Sequence, residues 1–122
     1  MKGYHVENAQ DEILKLVNKG FIVFVFDPVG QGKLIENFDP KTAKSIVGGP
    51  TTEHSYPGKQ ALISGRSIAR YMIWNGIRAV DYLLTRKEVD RARIGITVCS
   101  GGDTQSVYIA VMDDRTYAVA SQ

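Results

Sequence analysis

Cysteine and histidine are scarce in this sequence, which limits the kinds of site that it can build. A single cysteine, Cys99, excludes an internal disulfide framework. The two histidines, His5 and His54, form no recognised metal-ligand spacing with Cys99, so we expect no bound metal. The turn at residues 30–32 (GQG) lacks the third glycine of a dinucleotide-binding motif, and no helical pattern follows it, so we expect no cofactor.

Long apolar runs and strong charge are also lacking. The longest apolar run, residues 21–26 (FIVFVF), is far shorter than the roughly 20 residues that cross a bilayer. The first residues lead into a polar stretch rather than the apolar core of a signal peptide, so we expect no membrane partner and, by default, a cytoplasmic location. Lys and Arg number 15 against 13 Asp and Glu, a balance that predicts no nucleic-acid partner.

The 122 residues are enough for one domain with a hydrophobic core and too few for two. Helical spacing predicts a first helix that opens near residue 7 or 8 and ends at Gly20. Residues 21–26 follow as a predicted strand buried on both faces, which is typical of a parallel sheet covered by helices. Residues 33–60 have no sustained period, and we predict an ordered excursion over the rim of the sheet, with disorder as the alternative.

The second half of the chain repeats the alternation of helix and strand. Residues 61–85 carry apolar side chains at steps of three and four, which predicts the longest helix and a cover for one face of the sheet. A strand at residues 94–98, another helix and a final strand from residue 117 complete the pattern. This order predicts an α/β fold with a parallel sheet and flanking helices.

One stretch, residues 93–105 (RIGITVCSGGDTQ), has the outline of a nucleophile elbow. In such an elbow a strand runs through a tight turn into a helix, and the serine on the turn is exposed at the carboxyl end of the sheet. Here Ser100 occupies the nucleophile position. The backbone N–H of Gly101 is then the expected donor to a developing oxyanion.

Together with this stretch, five others make the chain resemble part of an α/β-hydrolase domain that spans residues 1–122. It is most similar to the bacterial esterases that resemble acetyl xylan esterases and to the acylaminoacyl-peptidase-like hydrolases. The matching stretches are residues 27–32 (DPVGQG), 49–55 (GPTTEHS), 69–74 (ARYMIW), 76–84 (GIRAVDYLL) and 113–115 (DDR). The resemblance implies that Ser100 is a nucleophile and that Gly101 supplies an oxyanion N–H.

The chain also departs from this family. Val98 and Asp103 stand where such esterases usually have glycine, and a valine in the crowded elbow costs about 1–3 kcal/mol by overpacking. No histidine follows Ser100, whereas hydrolases of this fold place an acid and then a histidine after the serine. We interpret residues 113–114 as the end of a helix, and the two histidines as loop or surface residues.

The resemblance further implies that one strand is missing from this segment. In the family an upstream strand, followed by an oxyanion loop, lies between the strand at residues 21–26 and the elbow strand. The two strands must therefore pair with each other, pair with another copy, or keep open edges, and we expect a homo-oligomer through the open edges.

Two functional hypotheses follow from these observations. In the first, the chain derives from a serine esterase that hydrolyses small-molecule acyl esters through an acyl-enzyme, and this chain alone is inactive. In the second, it is a truncated, non-catalytic α/β module that acts in binding or assembly. The altered elbow neighbours Val98 and Asp103 and the missing histidine favour the second hypothesis.

Overall fold

The first helix of the protein ends where its glycine predicts. The computed structural model describes residues 4–98 and 102–121, and the side chains of residues 10–97 and 104–120. Helix α1 spans Tyr4–Asn18, and Gly20 follows with a φ of 88°. The N–H of Gly20 donates to the Val17 carbonyl (2.9 Å), and the N–H of Phe21 donates to the Leu16 carbonyl (3.1 Å). This pattern is a Schellman motif, so the predicted end of the helix is confirmed.

Residues 50–85 form two helices where the sequence predicted part of an excursion and one helix. Helix α2 spans Pro50–Ile63 and helix α3 spans Ile68–Thr85. Pro50 suits the first turn of α2, because a backbone N–H there would have no partner within the helix. Helix α2 then continues through Pro57. Gly65 has a φ of 71°, a left-handed conformation that ends α2, and Ser67 then caps α3 by accepting the N–H of Ala69 (3.2 Å).

The β-structure is divided between two small sheets. Strands β1 (Phe38–Asp39) and β2 (Lys44–Ser45) form an antiparallel hairpin inside the predicted excursion. Strands β3 (Gly95–Val98) and β4 (Ala118–Ser121) pair in parallel, with Gly95 opposite Ala118, and helix α4 (Gly102–Met112) connects them. About half of the chain is helical. The mixed α/β composition and the parallel pair are therefore confirmed, although this pair is much smaller than the predicted sheet.

The predicted strand at residues 21–26 is wrong. These residues belong to no helix or strand, and four of the six are exposed: Phe21, Ile22, Phe24 and Val25. A strand buried on both faces needs neighbouring strands and covering helices, and none of the strands that the structure describes pairs with this segment. The segment instead packs against α3, where the ring centroids of Phe24 and Tyr82 lie 5.1 Å apart.

The core lies between α3, α4 and the parallel pair. Its buried apolar side chains are Ala61, Val80, Ile94 and Ile109. Helices α3 and α4 approach closely at Gly76 of α3, because a Cβ there would lie 2.7 Å from Cγ1 of Ile109 and closer still to its Cδ1. Among the described residues, none of the helices has the length and apolar character that a membrane span requires.

Candidate functional site

The predicted catalytic residues fall on the connection between β3 and α4. Strand β3 ends at Val98 and α4 begins at Gly102, so a three-residue connection joins them. Ser100, the predicted nucleophile, and Gly101, the predicted oxyanion donor, lie outside the described residues together with Cys99. The strand and the helix of the predicted elbow are confirmed on either side of this connection.

The elements around this connection are tightly held. Parallel pairing places the carboxyl ends of β3 and β4 at the same edge, with Val98 opposite Ser121. Helix α4 is tied to α3 by Gln105, whose Nε2 donates to the Met72 carbonyl (2.8 Å). One turn further along, Ile109 is only 2% exposed and fills the space over Gly76. The N-terminus of α4, which carries the positive end of the helix dipole, is thereby fixed beside the connection.

At the other end of α4 an ion-pair network binds Asp113, one of the acids that follow the serine. The Arg115 guanidinium donates from Nε to Oδ1 of Asp113 (2.6 Å) and from Nη1 to Oδ1 of Asp81 (2.7 Å). Hydrogen bonds from Arg115 hold the pKa of the buried Asp113 carboxyl below its usual value, although burial opposes them. Asp113 follows Met112, the last residue of α4, which confirms that the acid pair marks the helix end. Both carboxylate oxygens of Asp113 accept hydrogen bonds from Arg115, so Asp113 has a structural role.

Both histidines, which the sequence analysis interpreted as loop or surface residues, lie in helices. His5 lies in α1, and its side chain is outside the described set. His54 lies in α2 and is half-buried against Gly30, where an added Cβ would sit 2.6 Å from the His54 Cδ2. Its Nε2 is buried and has no hydrogen-bond partner among the described residues. The interpretation of His54 as a loop or surface residue is therefore wrong, because α2 begins four residues earlier than it.

A buried carboxylate beside His54 was missed by the sequence interpretation. Glu53 is 1% exposed, and its Oε2 accepts the N–H groups of Glu36 (3.1 Å) and Asn37 (3.4 Å) and the Asn37 Nδ2 (3.3 Å). Its Oε1 accepts the Ser45 hydroxyl. Burial alone would raise the pKa of the Glu53 carboxyl, but these hydrogen bonds together lower it below the usual value.

Next to Glu53 lies a cavity of about 330 Å³. Its walls include Gly30, Ile35, Ser45 and Pro50. The sequence offered one signal for this cluster, because an acid in the first turn after a helix-opening proline marks a helix start. The interruption of the pattern at residues 57–58 concealed that helix.

The remaining chemistry and the comparisons add no further site. Within the described residues, no group of three or more His, Cys, Asp or Glu side chains is placed to hold a metal ion. Neither a family model, nor a curated protein sequence, nor a solved structure matches this chain. The resemblance to the α/β-hydrolases therefore stays a prediction that rests on the sequence motifs.

Proposed function

We propose that the β3–α4 unit is the nucleophile-bearing unit of a serine ester hydrolase domain, and that this chain by itself does not turn over esters. The observation that supports the proposal is the three-residue connection between a parallel strand and a helix, with Ser100 in its middle. In a nucleophile elbow the serine is exposed at the carboxyl end of the sheet, and the N-terminus of the following helix favours negative charge.

The reaction proposed for the domain is a two-step acyl transfer. The Ser100 hydroxyl gives its proton to a base while its oxygen attacks the ester carbonyl, and the Gly101 N–H stabilises the resulting oxyanion. Collapse of the tetrahedral intermediate expels the alcohol and leaves an acyl group on Ser100. Water then releases the carboxylic acid and regenerates the serine. No histidine follows Ser100 to act as this base, so we expect the chain to be inactive.

Chemical rescue tests both parts of this proposal. The chain is incubated with a fluorophosphonate probe, with and without imidazole as an external base, and the adducts are located by peptide mass spectrometry. We expect an adduct on Ser100 only when imidazole is present, and none on the variant Ser100→Ala. The variant Ser55→Ala, which removes an exposed hydroxyl from α2, is the matched control and should label like the wild type.

Two results would count against the proposal. If imidazole produces no Ser100 adduct on a chain that circular dichroism shows to be folded, Ser100 is not a nucleophile. If the chain hydrolyses an aryl acetate without imidazole, and Ser100→Ala abolishes that turnover, the predicted inactivity is wrong.

The exposed surface favours a second candidate function, which is assembly with copies of itself. The chain exposes 9314 Å², whereas a compact monomer of 13.5 kDa exposes roughly 6,500 Å². The surplus of about 2,800 Å² exceeds the roughly 800 Å² that each partner buries in a standard interface. The surplus is therefore large enough for a stable dimer.

One part of this exposed apolar surface lies on α4. Ser106 and Ile109 are buried, but the second half of the helix, residues 107–112 (VYIAVM), is apolar all round and exposes Val111 and Met112 by 73% and 67%. A helix that is apolar on every side is normally buried, so this face is expected to need a cover. A second copy of the chain offers the same uncharged face and can cover it symmetrically.

Sedimentation velocity over a range of micromolar concentrations tests the assembly proposal. We expect one discrete oligomer that the variant Val111→Glu weakens, because it places a charge in the apolar face. The matched control Lys87→Glu, on the polar connection after α3, should leave the oligomer unchanged. A stable monomer, or aggregates without a defined mass, would contradict a role in assembly.

A further inference from the structure

The hairpin β1–β2 belongs to a strap, residues 35–47, whose attachment to the rest of the protein is narrow. In the part of the chain that the structure describes, every hydrogen bond that joins the strap to the remaining residues ends on Glu53. Its other hydrogen bonds are internal, such as those from Lys41 N–H and the Thr42 hydroxyl to Asp39. One carboxylate of α2 therefore holds both arms of the hairpin.

Apolar packing adds little to this attachment. Phe38 and Ile46 are 54% and 72% exposed, so two of the strap's large apolar side chains point into water. The ladder between β1 and β2 has only two residue pairs, Phe38 with Ser45 and Asp39 with Lys44. Segments with few buried apolar contacts open locally at a lower free energy than the core does.

A glycine in a conformation that other residues rarely adopt lies within a few residues of each end of the strap. Gly48 follows the strap with a φ of 114°, and Gly32 precedes it, at the start of a short 3₁₀ helix (Gly32–Leu34), with a φ of 51°. The strap also forms one wall of the 330 Å³ cavity, through Ile35 and Ser45.

From this arrangement we propose that residues 35–47 are a hinged strap that forms one wall of the cavity and that the Glu53 carboxylate is its latch. When the hydrogen bonds to Glu53 break, the strap swings about the glycines on either side of it and removes that wall, while α2, α3 and α4 stay packed. The device goes beyond the function proposed for Ser100 and does not depend on it.

Hydrogen exchange of the whole chain, followed by mass spectrometry, tests the latch. In Glu53→Gln an NH₂ group replaces one of the two carboxylate oxygens that accept hydrogen bonds from the strap, so the strap should open more often. Its N–H groups should therefore exchange at least about tenfold faster than in the wild type. The N–H groups of α3 should change by less than about twofold, because the strap opens without the core. The control Glu36→Gln alters an exposed side chain in the strap and should leave the exchange unchanged.

A second variant covers the case in which Glu53→Gln does not fold. Ser45→Ala removes one donor to the latch from the strap side, and we expect faster exchange in the strap alone. Unchanged strap exchange in either folded variant would overturn the proposal. Equal acceleration in the strap and in α3 would overturn it too, because the strap would then open only when the whole chain unfolds.

Discussion

The contact between Gly76 and Ile109 allows the packing of α3 on α4 to be tested with one methyl group. In Gly76→Ala the new Cβ would lie 2.7 Å from Cγ1 of Ile109, whereas carbon atoms in contact are about 3.5–4.0 Å apart. Ile109 is 2% exposed and has no open space to move into. The two helices must therefore separate, or Ile109 must leave its rotamer.

The size of the effect follows from two opposing terms. Overpacking of this kind costs about 1–3 kcal/mol, and so close a contact belongs near the upper end. Replacing glycine by alanine inside a helix returns about 1 kcal/mol. We expect a net loss of roughly 2 kcal/mol in the free energy of unfolding, measured by urea denaturation with far-UV circular dichroism.

A matched glycine and a double-mutant cycle separate packing from helix propensity. Gly58 also lies inside a helix, but a Cβ there would meet Ile68 at 3.8 Å, an ordinary contact, so Gly58→Ala should not destabilise. Ile109→Val removes the atom nearest to the new methyl group, so the pair Gly76→Ala and Ile109→Val should show a favourable coupling of about 1 kcal/mol or more. Equal stability of Gly76→Ala and the wild type, with no coupling, would refute the described crossing.

Two further predictions concern the ends of helices. Asp113→Asn should lower the free energy of unfolding at pH 7 by about 1.5–3 kcal/mol, because it weakens charged hydrogen bonds to Arg115, while the exposed neighbour Asp114→Asn should not. Since the folded protein lowers the pKa of Asp113, this stabilisation is present at neutral pH and is lost as the pH falls below about 4, so denaturation curves of wild type and Asp113→Asn should converge there. Ser67→Ala removes the cap of α3 and should cost about 1 kcal/mol in thermal or urea unfolding, and a loss near zero would show that the Ala69 N–H is satisfied otherwise.

The parts of the fold that the sequence predicted correctly are those set by local signals. Gly20 ends α1 because glycine adopts the left-handed conformation that a helix end requires. The parallel strands β3 and β4 and the helix between them follow from a change of apolar period within some 25 residues. Ser100 lies outside the described residues, and its role as the nucleophile stays a prediction.

The parts that were wrong depend on contacts that are distant in sequence. The predicted excursion ran to residue 60 because Pro57 interrupts the helical pattern. Helix α2 forms all the same, because it packs on α3 and because Glu53 binds residues that precede the helix. Glu53 was missed because residues 33–60 were predicted as an excursion without a helix. Its partners, 8 to 17 residues away, come together only when the strap folds back over α2.

The segment at residues 21–26 and helix α4 share one property, because each has the composition of a buried element and each exposes apolar side chains. An apolar run forms a strand only when a neighbour supplies hydrogen-bond partners, so the composition of the run describes the environment that it requires. Part of the exposed apolar surface thus lies where the sequence predicts burial. Under the hydrolase proposal the cover comes from other parts of the same domain, and under the assembly proposal from a second copy. The two differ in concentration dependence, since only a cover supplied by a separate chain is lost on dilution.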